Sequence, residues 1–191
     1  MKTIFTSMLF LFISVACFAQ RQRIKVNDQT RSFITYVPKS IDSTKAVPLV
    51  FNFHGGGMSA LEQMFYTEMN SSAETNGFIV VYPQGIDGNW NVGFDMDYDE
   101  GSDDVGFVKA LLKQLKTEYN IDEGAIFATG LSRGGFFTYR LAIEMPETFT
   151  AIASIGAPMP NQVQQRHKSD GKIAILLAQG DADFVVKFDG K

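Results

Sequence analysis

The sequence predicts an α/β fold, in which a mostly parallel β-sheet carries helices on both faces. Two observations lead to this prediction. Short apolar runs without polar alternation are typical of strands buried on both faces of a parallel sheet, and helical patterns separate most of these runs. The runs are residues 48–53, 78–82, 125–129, 151–155 and 172–177.

An antiparallel hairpin is predicted ahead of this alternation. Residues 23–26 and 31–38 alternate between apolar and polar side chains, and residues 27–30 between them have the composition of a turn. The chain should therefore open with two antiparallel strands and continue with parallel ones. No internal repeat or interdomain linker interrupts the pattern, so we expect one domain.

The first predicted helix begins at a capping box. Ser59 is followed three residues later by Glu62, a spacing in which each residue caps the other's backbone N–H. Gly77 marks the end of this helix. We expect one continuous helix with a buried apolar face made of Leu61, Phe65, Met69 and Ala73.

Two further helices follow. One begins at Ser102 with Asp103 and Asp104 in its first turn, where carboxylates complement the helix dipole. The other runs from Arg133 to about residue 144 and is stopped by Pro146. The first of the two carries an apolar stripe typical of a core-facing helix, namely Val108, Leu111, Leu112, Leu115 and Tyr119.

Residues 1–19 have the pattern of a secretory signal peptide. Lys2 precedes an apolar stretch over residues 8–15, and small residues lead to Ala19. The stretch is shorter than the roughly 20 residues of a membrane-spanning helix. We therefore expect cleavage after Ala19, a secreted mature chain and no membrane insertion. A lipoprotein attached through Cys17 is the alternative, although the residues before Cys17 fit that motif poorly.

The charge argues against nucleic-acid binding, and the cysteine content argues against an internal disulfide. The formal net charge is −4, and no cluster of Lys and Arg offers the basic surface that nucleic acid requires. The single cysteine, Cys17, lies in the predicted signal peptide. An exported chain would therefore fold without an internal disulfide, and we expect it to be a monomer.

The segment Gly130-Leu131-Ser132-Arg133-Gly134 fits the pattern G-x-S-x-G between a predicted strand and a predicted helix. This is the setting of a nucleophile elbow, whose sharp turn presents the serine hydroxyl above the sheet. The backbone N–H of Arg133 would then face the oxyanion of a tetrahedral intermediate. The pattern predicts Ser132 as a nucleophile, although a glycine-rich structural turn has the same composition.

A second, independent signal follows the first parallel strand. His54-Gly55-Gly56-Gly57 is an HGGG-type loop, in which glycines let backbone amides approach a ligand and supply the other oxyanion donor. We assign that role to Gly55 and Gly56. His54 is predicted to order the loop and to lie at the substrate, rather than to act as a base.

Asp183 is the candidate acid. It lies in Gly180-Asp181-Ala182-Asp183 after the last apolar run, and the carboxyl end of a strand is where a histidine-orienting carboxylate belongs. Asp183 also follows Ser132 in the chain order of α/β-hydrolases. Asp181 is the neighbouring alternative.

These segments together resemble the secreted poly(3-hydroxybutyrate) depolymerase family of esterases, α/β-hydrolases related to feruloyl and acetylxylan esterases. The resemblance also rests on residues 51–57, 82–85, 89–91 and 103–107. It implies an ester hydrolase that uses no cofactor or metal, with Ser132 as nucleophile, Asp183 as the acid, and oxyanion amides from Arg133 and the glycine loop. The ester substrate could be a polyester or an acylated polysaccharide.

The triad histidine is the main departure from this family. In the family it lies well downstream of the acid, and no histidine follows Asp183 here. We expect that the hydrolase domain, residues 20–191, is C-terminally incomplete and lacks its last strand and helix. The 191-residue form should then be nearly inactive, because a triad serine without its base loses most of its rate. His167, in a polar stretch before Asp183, is the alternative base.

Two rival functions have some support in the sequence. The run Asp95, Asp97, Asp99 begins like a calcium loop, but Glu100 and Gly106 stand where that loop needs other residues, so a solvated loop is preferred. A non-catalytic scaffold that binds a polymer or glycan is the second rival. Trp90, which we assign to substrate binding, would serve as its platform together with Phe136 and Phe137, although those two phenylalanines fit a core position better.

Overall fold

The computed structural model describes residues 21–166 and 172–188 of the chain. The predicted signal peptide, with Cys17, and His167 lie outside these residues. The described part is an α/β fold, as predicted, with seven strands and five helices. The strands are β1 Arg21–Val26, β2 Gln29–Tyr36, β3 Val47–Phe53, β4 Ile79–Pro83, β5 Ile121–Leu131, β6 Ala151–Ile155 and β7 Ala174–Ala178; the helices are α1 Ala60–Thr67, α2 Met69–Asn76, α3 Asp104–Glu118, α4 Arg133–Glu144 and α5 Asn161–Gln165.

The strands form one sheet in the order β1-β2-β4-β3-β5-β6-β7. β1 and β2 form the predicted antiparallel hairpin, and β2 also runs antiparallel to β4. The remaining neighbours are all parallel. The chain leaves β3 for β4 on one side and then returns to β5 on the other. The carboxyl ends of β3 and β5 therefore lie at a switch point, where open α/β sheets bind their ligands.

Two apolar clusters hold the helices to the sheet. The larger cluster joins the sheet to α3 and α4, and includes Phe51, Phe53, Phe107, Leu111 and Phe137. The smaller cluster lies under α1 and α2, where Ala60, Met64 and Ala73 pack against Val80 and Tyr82. Helices therefore cover both faces of the sheet, as predicted. No helix in the described part of the chain is long and apolar enough to cross a membrane.

The capping box at Ser59 is confirmed, since the Ser59 side chain accepts from the Glu62 N–H and the Glu62 side chain accepts from the Ser59 N–H. The prediction of one continuous helix is wrong. Glu68 adopts a left-handed conformation with φ of 48°, which divides the segment into α1 and α2.

The predicted buried face is confirmed at Ala73, which is buried, and Met69 is partly buried, but the prediction is wrong at its first two positions. Phe65 is 68% exposed and Leu61 is exposed too, whereas Gln63 is buried. The Ala60 N–H donates to Gln84 Oε1, and Gln63 Nε2 donates to Asn52 Oδ1. These two contacts with β3 and with the end of β4 turn the polar Gln63 towards the sheet, so Leu61 and Phe65 point outward.

β7 departs from the prediction that its run is buried on both faces. All five of its residues are exposed, including Ile175, Leu176 and Leu177. The sheet face beside it carries an open apolar groove of about 330 Å³. The groove is lined mainly by Val50, Met69, Phe78, Phe127, Ile152 and Leu176.

A buried ion pair fastens the hairpin to the start of α3. Arg31 Nη2 donates to Asp104 Oδ1 at 2.7 Å, and both side chains are almost completely buried. The other carboxylate oxygen, Oδ2, accepts from the Asn91 N–H and from the Ser102 hydroxyl. The Asp104 charge is therefore fully compensated, and the Arg31 guanidinium also stacks on Phe107, 4.2 Å from the ring centroid.

Replacing Asp104 with Asn should destabilise the fold by about 3–5 kcal/mol, because it leaves the Arg31 cation buried without its counter-charge. The measurement is urea denaturation followed by circular dichroism. Asp99→Asn is the matched control, since Asp99 pairs with Arg166 at an exposed position and such pairs contribute about 0–1 kcal/mol. Equal midpoints for the two variants would contradict the prediction.

Candidate active site

Ser132 lies between β5 and α4 in a strained backbone conformation, with φ of 50° and ψ of −117°. A non-glycine residue in such a region costs about 1–3 kcal/mol and is found most often at functional sites. The Ser132 N–H donates to Ile155 O on β6, and its carbonyl accepts from the Phe136 N–H. The turn is therefore fixed from both sides, which is the geometry predicted for a nucleophile elbow.

The glycines of the G-x-S-x-G motif are required by the close approach of backbone segments. A Cβ on Gly130 would lie 2.3 Å from the Gly134 carbonyl carbon. A Cβ on Gly134 would lie 2.4 Å from Phe53 O and 2.6 Å from His54 O. The start of α4 thus packs directly against the end of β3, and no side chain fits between them.

The glycine loop leaves the sheet beside Ser132, because Phe53 pairs with Gly130 in the β3–β5 register. The Gly57 N–H donates to Gly88 O at 2.9 Å. The amide of Gly57 is therefore engaged, and the assignment of the oxyanion donors to Gly55 and Gly56 stays a prediction. Gly56 is exposed at the surface of the loop.

His54 is buried and orders this loop. Its Nδ1 lies 2.8 Å from Gly55 O, and its Nε2 accepts from the Gly85 N–H at 2.9 Å. Because a carbonyl oxygen can only accept, Nδ1 carries the hydrogen and the ring is neutral. Burial lowers the pKa of His54 below its usual range. The ordering role is as predicted, but the expectation that His54 contacts substrate is contradicted, since its side chain is fully buried.

Trp90 is also a core residue. Its indole is fully buried, stacks on Phe137 at 5.1 Å and donates from Nε1 to His54 O. The assignment of Trp90 to substrate binding is therefore contradicted, and so is its role as an exposed platform. Phe137 is buried, as favoured from the sequence, and Phe136 is partly buried against the same core.

Asp183 lies after β7, as predicted, and its carboxylate is held by its own turn. Oδ1 accepts from the backbone N–H groups of Val185 and Val186, each at 2.9 Å. Gln179 Nε2 lies 3.4 Å from Oδ2. The hydrogen bond from the Val186 amide is the largest cause that holds the pKa of Asp183 below its usual range, and the bond from the Val185 amide is the second. Asp181 is exposed in the preceding turn.

The acidic segment after Trp90 is tied down by arginines. Asp95 pairs with Arg133 and Asp99 with Arg166, while Asp97 Oδ1 caps the amides of Asp99 and Glu100. Among the described residues no group of three His, Cys, Asp or Glu side chains is placed to hold a metal ion. These carboxylates make their ion pairs and hydrogen bonds at exposed positions of the loop.

Sequence reasoning did not identify what organises this loop. Asn91 Nδ2 donates to the carbonyls of Asp97 and Tyr98, and Arg140 Nη1 donates to Asn91 O. Tyr98 lies between the guanidinium groups of Arg140 and Arg166, at 3.8 and 4.1 Å from its ring centroid. The contacting residues are far apart in the chain, so local spacing carries no signal for them.

This fold places the chain among the α/β-hydrolases, and comparison with known proteins agrees. A model of the family described as esterase PHB depolymerase matches residues 31–162. The chain belongs to this family, which confirms the resemblance inferred from its motifs.

Named relatives support the assignment. The chain is 32% identical over 146 residues to a putative esterase, NocK, from Nocardia uniformis subsp. tsuyamanensis, covering 75% of this chain and 42% of that protein. It is 30% identical over 172 residues to a probable feruloyl esterase C from Aspergillus oryzae, covering 87% and 59%. The chain thus spans about two fifths to three fifths of the length of these two relatives.

Solved structures share the fold. A thermostable esterase superposes with a TM-score of 0.73 at 24% identity, covering 90% of this chain and 48% of that one. An acetyl xylan esterase from Aspergillus awamori gives a TM-score of 0.69 at 18% identity, covering 90% and 76%. At these identities the likeness concerns the fold alone.

Gly134→Ala should destabilise the protein by about 3 kcal/mol or more, because the added methyl group meets two backbone carbonyls that cannot move aside cheaply. Gly124→Ala is the matched control, since a Cβ there meets only the Asp122 carboxylate, at 3.4 Å, and should change stability by less than about 1 kcal/mol. Urea denaturation of both variants is the measurement. A Gly134→Ala midpoint close to that of the control would contradict the steric argument.

The buried neutral His54 should make stability depend on pH. Its folded-state pKa is below the unfolded value of about 6.5, so the unfolded chain binds more protons at acid pH. The contribution of neutral His54 to the free energy of unfolding is fully present above about pH 6.5. It is lost as the pH falls to the folded-state pKa, by up to about 1.4 kcal/mol per pH unit.

The test compares urea midpoints at pH 7.5 and 5.5 for the parent and for His54→Gln. The variant should be less stable at both pH values but should lose less stability between them. Parallel losses in the two proteins would show that His54 does not titrate as argued.

Proposed function

We propose that this chain is the hydrolase domain of a serine esterase that cleaves carboxylic esters. The observation that carries the proposal is the strained Ser132 turn, set beside the glycine loop by the β3–β5 register. Family membership and the names of the relatives support it, since these are esterases. A turn that served only to connect a strand to a helix would not need the strain at a serine.

In the proposed reaction Ser132 Oγ attacks the ester carbonyl carbon while a base takes the hydroxyl proton. The carbonyl oxygen becomes an oxyanion, which accepts hydrogen bonds from the N–H groups of Arg133 and of Gly55 or Gly56. The tetrahedral intermediate collapses and expels the alcohol, whose oxygen receives from the base the proton that came from Ser132. Water then hydrolyses the acyl-serine by the same route and releases the acid. No metal or cofactor takes part in this scheme.

Asp183 is proposed as the acid that orients the base. Its Oδ1 is occupied by two backbone amides, whereas Oδ2 has, among the residues that the structure describes, a single long contact from Gln179. Oδ2 is therefore the oxygen placed to accept a hydrogen bond from an imidazole Nδ1–H. The carboxylate is ionised at neutral pH, and its lowered pKa extends the ionised form to more acid pH. This negative charge stabilises an imidazolium during turnover.

We propose that the base is a histidine carried by a longer form of this protein, downstream of Asp183. His54 is unsuitable, because both of its ring nitrogens are engaged inside the protein. Two observations support an additional segment. β7 and the groove next to it leave apolar surface open that a parallel sheet normally covers, and the relatives named above are longer than this chain. His167 is the alternative base.

The proposed substrates are the carboxylic ester bonds of a polyester or of an acylated polysaccharide, in line with relatives named as feruloyl and acetylxylan esterases. We also propose that residues 1–19 direct export and are removed, so the enzyme works outside the cytoplasm as a monomer. Intact mass of the exported protein would test the cleavage site, with Gln20 as the expected first residue.

The decisive experiment measures p-nitrophenyl acetate hydrolysis and fluorophosphonate labelling of the 191-residue chain and of a form extended by its downstream coding sequence. The extended form should label on Ser132 and turn over, and Ser132→Ala should lower kcat by about 10⁶. The short form should do neither. Thr129→Ser, at the end of the same strand but outside the turn, is a control that should retain activity.

Each alternative has its own outcome. Labelling of the short form that His167→Ala abolishes would assign the base to His167. Failure of both forms to label or turn over would overturn the esterase proposal and favour a non-catalytic, ligand-binding role.

A further inference from the structure

The side chain of Arg133 connects the elbow that carries Ser132 with the turn at residues 93–95. Its Nη1 donates to Phe94 O at 3.0 Å, and its Nη2 donates to Asp95 Oδ2 at 2.8 Å. The glycine loop lies nearby, since a Cβ built on Gly56 would lie 3.6 Å from Arg133 Cβ and 3.9 Å from Nε. The residue that follows Ser132 is therefore bonded to the turn at residues 93–95 and is a neighbour of the glycine loop.

This turn has a conformation that needs holding. Gly93 and Asp95 both have positive φ, 81° and 59°, and left-handed residues persist where their surroundings fix them. Phe94 packs edge-on against Phe136, with ring centroids 5.1 Å apart. Phe136 lies one helical turn after Ser132 and bonds to its carbonyl. The turn thus places an aromatic ring against α4, one helical turn after the proposed nucleophile.

The rest of the acidic loop has separate anchors. Asp97 and Tyr98 are held through their carbonyls by Asn91, and the Tyr98 ring is held by Arg140 and Arg166. The side-chain contacts described above for Phe94 and Asp95 come instead from Arg133 and Phe136. The Gly93 N–H also donates to Asn91 Oδ1. Loss of the Arg133 guanidinium should therefore loosen residues 94 and 95 and leave residues 97–102 in place.

The hydrogen bond to Phe94 O carries more of the attachment than the ion pair does. The Asp95 side chain is 84% exposed, and ion pairs at such positions contribute little. The Arg133 side chain is only 18% exposed, and its bond to a backbone carbonyl is charge-assisted, which makes it stronger than a neutral hydrogen bond. An Asp95 variant is therefore a suitable control for an Arg133 variant.

We propose that Arg133 is a positioning residue for the proposed ester hydrolysis. Its guanidinium fastens the Phe94 turn to the start of α4, and this holds the Arg133 N–H in place and Phe94 as an apolar wall beside the elbow. The kinetic part of this inference rests on the proposed esterase function. The wall suits esters whose acyl or alcohol group is flat or apolar, such as an aromatic acyl group.

The first test is amide hydrogen exchange on the full 191-residue chain, which does not depend on turnover. In Arg133→Met, peptides over residues 93–96 should exchange about tenfold faster, whereas peptides over 97–102 and α3 should match the parent. Arg133→Lys should lie in between, because an ammonium can still reach Phe94 O. Asp95→Asn should match the parent. Unchanged exchange over 93–96 in Arg133→Met would overturn the proposal.

The second test uses the form that turns over. Arg133→Met should lower kcat for p-nitrophenyl acetate by roughly 10- to 100-fold, the usual effect of about 1 Å of misplacement, with KM within about twofold. Arg133→Lys should restore part of kcat. Phe94→Ala should raise KM for a cinnamoyl ester about tenfold and leave the acetyl ester unaffected. A kcat in Arg133→Met equal to that of Asp95→Asn would contradict the positioning role.

Failure of the two proposals can be told apart. Absence of Ser132-dependent turnover in every form would reject the esterase proposal, and the exchange data would then decide by themselves whether Arg133 fastens the turn. Turnover in the parent together with unchanged kcat and exchange in Arg133→Met would retain the esterase and reject the positioning role.

Discussion

The candidate site depends on one steric constraint, the contact between the start of α4 and the end of β3. Gly134 lies so close to the carbonyls of Phe53 and His54 that a methyl group would overlap them. This contact fixes the height of Ser132 above the sheet and its distance from the glycine loop. The strain at Ser132 can persist because the surrounding backbone, bonded to β6 and to the first turn of α4, leaves the turn no relaxed alternative.

Around this contact, buried polar groups connect separate segments of the chain through hydrogen bonds and an ion pair. His54 joins the glycine loop to Gly85, Trp90 joins the same loop to the core, and the Arg31–Asp104 pair joins the hairpin to α3. Each of these groups has its hydrogen bonds satisfied inside the protein, which is the condition under which burial of polar groups is tolerated. His54 and Trp90, which the sequence suggested as substrate-binding residues, therefore have structural roles.

Local signals in the sequence predicted local features well. The capping box at Ser59, the elbow at Ser132 and the parallel pairing of the later strands follow from short patterns, and the structure confirms the helix start and the parallel pairing. The failures concern contacts with distant segments. The outward face of α1 follows from the bond between Gln63 and Asn52, and the burial of Trp90 follows from its contact with Phe137. Nothing in the spacing of these residues indicates either contact.

The stack of Tyr98 between Arg140 and Arg166 gives the loop chemical durability. A guanidinium keeps its charge at any pH at which proteins remain folded, and burial raises the pKa of Tyr98 far above neutrality, so its hydroxyl stays protonated on Glu144. The attachment needs neither a thiol nor a metal ion. It should therefore withstand reductants and chelators, and it should persist in alkaline surroundings where an attachment built on histidine would lose its charge.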